Sequence, residues 1–124
     1  MTSSTANAPH GLEIILEDGE ESSVLHLKGR LGIDSSPALG DRLLAILRGP
    51  SPKTVVVDLA DLTYADASGI ATLLEALKVA RHRQIRLCLQ GLQGRLLHLF
   101  EVSGVLPLFE TDRSRSASSE LTVS

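Results

Sequence analysis

Val55-Val-Val-Asp-Leu-Ala-Asp-Leu-Thr-Tyr-Ala-Asp-Ala-Ser-Gly-Ile70 is the stretch on which the fold turns. Thr54–Leu59 is a continuous, β-branched run, the pattern of a strand covered on both faces inside a parallel sheet. Ile70, Leu73, Leu74 and Leu77 then recur at helical spacing, which predicts a helix reaching about His82. A buried strand therefore empties into a short turn, expected to hold Asp61, and the turn ends in Asp66-Ala67-Ser68-Gly69 at a helix N-terminus. Asp66 and Ser68 can both accept from the unpaired N–H groups there. The positive end of the helix dipole favours an anion at the same place. In open α/β sheets the crevice beyond the carboxyl ends of the strands is also where ligands and partners engage.

Working outward, Leu12–Glu17 and Val24–Leu31 read as a strand pair around the polar, Gly-containing loop 18–23. A helix follows, with Ser36 as the expected N-cap, Pro37 at the first helical position and Leu39, Leu43, Ile46 and Leu47 as its apolar stripe. Gly49-Pro50 stops it. Ile85–Gln90 alternates as a further strand. Leu92, Leu96, Leu99 and Phe100 mark a third helix closed by Ser103-Gly104, and Leu106–Phe109 is expected as a short edge strand, because Pro107 cannot donate to a ladder. The fold class is thus α/β in the order β-β-α-β-α-β-α-β, a mixed sheet with an N-terminal hairpin and crossover helices. Residues 1–10 and the serine-rich residues 111–124 read as disordered tails around one domain at 11–110.

Composition excludes several function classes. The 124 residues carry 12 Lys+Arg against 15 Asp+Glu, a net charge of −3, so there is no cation excess to track phosphates, and aromatic residues for base stacking are scarce. No nucleic-acid partner is expected. Cys88 is the one cysteine, which leaves neither a disulfide framework nor a thiolate zinc site. No apolar run reaches the length of a membrane span, and the first ten residues do not read as a secretory signal; the expectation is a cytoplasmic chain without membrane insertion.

Catalytic patterns fail one by one. A nucleophile elbow needs Gly two residues before Ser68, where Asp66 stands. Neither a phosphate-binding lysine loop nor a dinucleotide fingerprint occurs. Asp58, Asp61 and Asp66 could form a magnesium-binding trio, but Asp61 reads as a turn residue and no lysine follows on the later strand. No metal, cofactor or catalytic residue is expected. His10, His26, His82 and His98 fall on separate elements and read as structural or exposed, Cys88 as a small buried apolar residue. The basic residues Arg81, Arg83, Arg86 and Arg95 read as a solvated surface, with a patch for an acidic partner as the alternative.

The string Asp58-Leu-Ala-Asp-Leu-Thr-Tyr-Ala-Asp66-Ala-Ser-Gly-Ile70 resembles the signature of the STAS domains, a family that includes the bacterial anti-sigma factor antagonists. Gly29-Arg-Leu31 with Leu39 resembles the family's approach to its first helix, and the element order agrees over about residues 11–110. The resemblance implies a non-catalytic regulator that binds an anti-sigma factor, which can be a serine kinase, through the loop at the N-terminus of the second helix. The partner-binding residues it implies are Gly32, Asp34, Asp66, Ala67, Ser68, Gly69 and Ile70. In phospho-switched members the residue after the motif aspartate is the Ser that the kinase modifies; here it is Ala67. The family aspartate of the first-helix loop is replaced by Gly32, with Asp34 two residues on.

Three readings of Asp66-Ala67-Ser68-Gly69 stand side by side. The segment can simply start a helix; it can be a docking surface without a switch; or Ser68 can substitute as phosphoacceptor, the weakest of the three, because in-line transfer does not tolerate a one-residue displacement. Family members also serve as cytoplasmic subunits of ABC-type lipid transporters that contact the ATPase, so an ABC transporter ATPase is the alternative partner.

Overall fold

The structure is a computed structural model and describes residues 11–50 and 53–111. The strands are β1 (Leu12–Asp18), β2 (Ser22–Leu31), β3 (Thr54–Ala65), β4 (Arg86–Gln90) and β5 (Glu110–Thr111); the helices are α1 (Ser36–Arg48), α2 (Ala67–His82) and α3 (Gly94–Val102). They form a five-stranded sheet in the order β1-β2-β3-β4-β5. β1 pairs with β2 antiparallel, and every later pair is parallel. The mixed sheet, hairpin and element order are those the sequence predicts.

Period-two alternation sorts the sheet into two faces. Leu25 and Leu27 of β2, Val55, Val57 and Leu59 of β3, and Leu87 and Leu89 of β4 are buried. Against them lie Leu39, Leu43 and Leu47 of α1 and Leu73, Ala76, Leu77 and Ala80 of α2. Each crossover steps the same way across the sheet, so right-handed connections bring their helices to one side, and α1 and α2 pack on each other. The alternate residues Val24, His26, Val56, Asp58 and Cys88 are only half-buried. β3 is parallel to both neighbours, as expected, but covered on one face and not two. Cys88 is accordingly half-buried and not in the core.

Four local expectations are corrected. β3 does not stop near Leu59; it runs to Ala65 because the ten-residue β2 keeps pairing with it. Lys28 pairs with Asp61, and Arg30 with Tyr64, across two register shifts that add residues to β3. Asp61 is therefore a strand residue and not a turn residue. The N-cap of α1 is Ser35, one residue before the expected Ser36. The reason is a tight turn in which the Ser35 and Ser36 amides both donate to the Gly32 carbonyl, at 3.1 and 2.8 Å. Finally, Leu106–Leu108 is one turn of 3-10 helix, closed by Leu108 N–H to Val105 and Phe109 N–H to Leu106, and not a strand. The edge strand follows it, with Glu110 and Thr111 opposite Cys88 and Leu89. Thr111 begins the segment read as a tail; residues 1–10 and 112–124 lie outside the described residues.

Candidate functional site

β3 delivers Asp66 directly to the start of α2, with no intervening loop. Asp66 is the N-cap in extended conformation (φ −131°, ψ −171°). Its Oδ1 accepts from the Ser68 N–H at 2.9 Å and from the Ser68 hydroxyl at 2.5 Å; its Oδ2 accepts from the Tyr64 hydroxyl at 3.3 Å. The Ser68 hydroxyl holds the Asp66 pKa below the ordinary carboxylate value, helped by the Ser68 and Gly69 backbone and by Tyr64 and opposed by burial. The Asp66 N–H donates to the Leu31 carbonyl at 3.2 Å, tying the end of β3 to the end of β2.

The β2–α1 turn comes up beside this cap. The Ser35 hydroxyl donates to the Arg30 carbonyl at 2.9 Å and accepts from the Gly32 N–H at 3.0 Å. The Ser36 hydroxyl donates to the Gly32 carbonyl at 2.7 Å and lies 3.2 Å from the Ser68 hydroxyl, so the first turns of α1 and α2 are joined. Gly32, Ile33, Asp34, Tyr64 and Asp66 wall a shallow cleft of about 150 Å³. A Cβ on Gly32 would stand 3.1 Å from Asp66 Oδ2, so an aspartate there would set carboxylate against carboxylate unless Asp66 moved.

The residues expected to bind a partner thus divide. Gly32, Asp34 and Asp66 line the cleft, and Ala67 is exposed at the first position of α2. Ser68 is half-buried and engaged on both sides. Gly69 and Ile70 are buried beneath the first turn of α2. Gly69 is small because Leu31 packs on it: a Cβ would lie 2.6 Å from Leu31 Cγ. Arg30, Ile33 and Tyr64, which sequence reasoning did not single out, also line the cleft. Ile33 is an apolar residue outside every periodic stripe and 74% exposed, and the Arg30 guanidinium lies over the Tyr64 ring at 4.2 Å to the centroid.

The three aspartates do not come together. Asp58 lies on the half-buried sheet face, where its Oδ2 is 2.7 Å from His26 Nδ1 and its Oδ1 accepts from the Ala60 N–H at 3.0 Å. His26 Nε2 is 2.7 Å from Glu17 Oε1. With a carboxylate on each ring nitrogen, only the imidazolium can donate to both. The Glu17 hydrogen bond, then Asp58, raise the His26 pKa against the opposing effect of burial. Among the described residues no three His, Cys, Asp or Glu side chains are arranged to hold a metal ion.

The family model described as Mlab, STAS domain matches residues 15–108. The chain belongs to the STAS domain family. This STAS domain is 39% identical over 54 residues to the anti-sigma-B factor antagonist of Listeria monocytogenes, a match covering 44% of the chain and 47% of that protein, so it spans about half the relative's length. It is 22% identical over 99 residues to the anti-sigma-B factor antagonist of Bacillus subtilis, covering 80% and 89%. An anti-sigma factor antagonist from Mycobacterium paratuberculosis superposes with a TM-score of 0.70 at 19% identity, over 93% of this chain and all (100%) of that one. The Bacillus cell fate determinant SpoIIAA in its phosphorylated form gives 0.64 at 18% identity, over 87% and 98%. At these identities the two structures establish a shared fold. No helix among the described residues is long and apolar enough to cross a membrane.

Proposed function

We propose that this STAS domain is a non-catalytic anti-sigma factor antagonist of the cytoplasm, with residues 11–110 as its folded unit. It engages an anti-sigma factor through the first turn of α2 and the β2–α1 turn beside it. One observation carries the reading: Ala67, at the family's phosphoacceptor position, is exposed directly after a fully engaged Asp66 cap. An exposed methyl on a pre-ordered turn lets a partner's backbone approach without ordering cost. The names of the curated relatives favour an anti-sigma factor over a transporter ATPase as the partner.

The same geometry argues against a phosphorylation switch here. Ala67 has no hydroxyl. The Ser68 hydroxyl is committed to Asp66 Oδ1, and a phosphoryl group on it would place two further charges against that carboxylate. The domain binds constitutively at this surface or is controlled elsewhere. The test is release of sigma factor from a purified anti-sigma–sigma complex, with and without prior incubation of this domain, the anti-sigma factor and ATP. Equal release in both arms, with no phosphopeptide containing Ser68, is expected; ATP-dependent loss of release with phosphate on Ser68 overturns the reading.

A further inference from the structure

Four large apolar side chains are exposed among the described residues: Ile33, Val102, Leu108 and Tyr64. Exposed singly, such residues are ordinary. Three of these four, however, gather at one end of the sheet. Ile33 and Tyr64 wall the Asp66 cleft. Tyr64 also walls a second groove, of about 410 Å³, between the end of β3 and α3, where Ala65, Leu96, Leu99 and Val102 supply the apolar lining. Tyr64 is the ridge the two hollows share.

The groove is built by α3. Leu96 and Phe100 of that helix are buried in the core, while Arg95, Leu99 and Val102, at i, i+4 and i+7, form a second stripe turned to the groove. Charge differs across the ridge: the cleft side carries Asp34 and Asp66 together with Arg30, which stacks on Tyr64, whereas the groove is lined by Arg95 and His98 and, among the described residues, by no carboxylate. An apolar floor with the Arg95 cation at its edge fits an apolar side chain beside a carboxylate, the core-and-rim anatomy of protein interfaces.

We propose that the docking surface continues from the first turn of α2 across Tyr64 into this groove, and that the occupant is the anti-sigma factor, through a segment presenting an apolar side chain beside an acidic one. The proposal rests on the reading of the domain as an anti-sigma factor antagonist. It goes beyond it in assigning contact to Tyr64, inside the motif string but not among its expected partner-binding residues, and to Arg95, Leu99 and Val102 of α3, which lie outside the motif.

The test is titration of purified anti-sigma factor into the full chain and into Val102→Glu, Arg95→Glu and Ala67→Glu, with methyl resonances of Leu99 and Val102 followed in the unmodified chain. Val102 is 65% exposed at the end of α3, so its variant is expected to melt with the unmodified chain; Arg95→Glu gives an independent reading if it does not. The expected result is Kd raised at least about tenfold by Val102→Glu and about three- to tenfold by Arg95→Glu, with both methyls shifting on addition of partner. Unchanged Kd for Val102→Glu and Arg95→Glu while Ala67→Glu loses binding overturns the groove and leaves the functional reading intact. No binding by the unmodified chain overturns both. Concentration-dependent methyl shifts in the free chain, pointing to a second copy, or cross-peaks from Leu121 or Val123 to Val102, pointing to the chain's own end, overturn the groove's assignment to the anti-sigma factor.

Discussion

Asp66 and His26 both hold charge on this domain, Asp66 through Tyr64 and Ser68, each two residues away, and His26 through Glu17 and Asp58, nine and 32 residues away. Asp66 is fixed by its own helix: backbone amide, neighbouring hydroxyl and the turn that follows. His26 is fixed only once β1, β2 and β3 are aligned in register, since it lies opposite Ile15 on one side and Asp58 on the other. The two clusters also respond to acid with opposite sign. Depression of the Asp66 pKa means its contribution to stability is present above the unfolded-state value and lost as pH falls through the folded one. Elevation of the His26 pKa means its contribution is full below the unfolded value, about 6.5, and lost as pH rises through the folded one. The helix terminus is a pre-ordered platform that keeps its charge at neutral pH; the sheet-face triad is a register clamp that weakens as pH rises through the His26 titration.

The largest expected effect strikes the support under the platform. Gly69→Val forces a side chain into Leu31 and should cost about 1–3 kcal/mol in urea unfolding; a loss under about 0.5 kcal/mol would mean that the two helix turns are not tightly backed. Next, Asp66→Ala removes the cap and should cost about 1 kcal/mol, with Asp66→Asn recovering most of it because Asn also caps. Equal losses in the two variants would assign the effect to charge instead of capping. The smallest effect belongs to the triad. His26→Gln should cost less than about 1 kcal/mol at pH 5, since the pairs are partly exposed, and the loss should shrink as pH rises past the His26 titration. A loss that grows with pH would contradict the imidazolium assignment. Carbon-13 shifts of His26 and Asp66 across the same pH range check both directions at once.

The difference between local and distant partners also explains what could be read from the sequence. The cap at Asp66, the stripes of α1 and α2 and the hairpin rest on neighbours along the chain, and each is legible there. The length of β3 is not, because Asp61 and Thr63 are held in the strand by β2 and not by their own propensity. The Glu17–His26–Asp58 cluster, the partial exposure of Val56 and the 3-10 turn at Pro107 likewise follow from register and packing. At the site itself, Ala67 and Asp66 stand where the motif puts them. Tyr64 and Ile33 were hidden because nothing in their spacing distinguishes an exposed apolar residue from a core one, and the burial of Ile70 is no more legible there.

Ala67→Glu tests the central claim most directly. A glutamate at the first position of α2 complements the helix dipole and stays exposed in the free domain, so folding stability should be unchanged or slightly higher. In a complex seated on that turn, the same side chain becomes a buried, unpaired charge. Calorimetric titration with the purified anti-sigma factor should therefore show Kd raised at least about tenfold, with an unaltered melting temperature. Equal Kd values for the two chains would place the partner elsewhere on the domain and contradict the account.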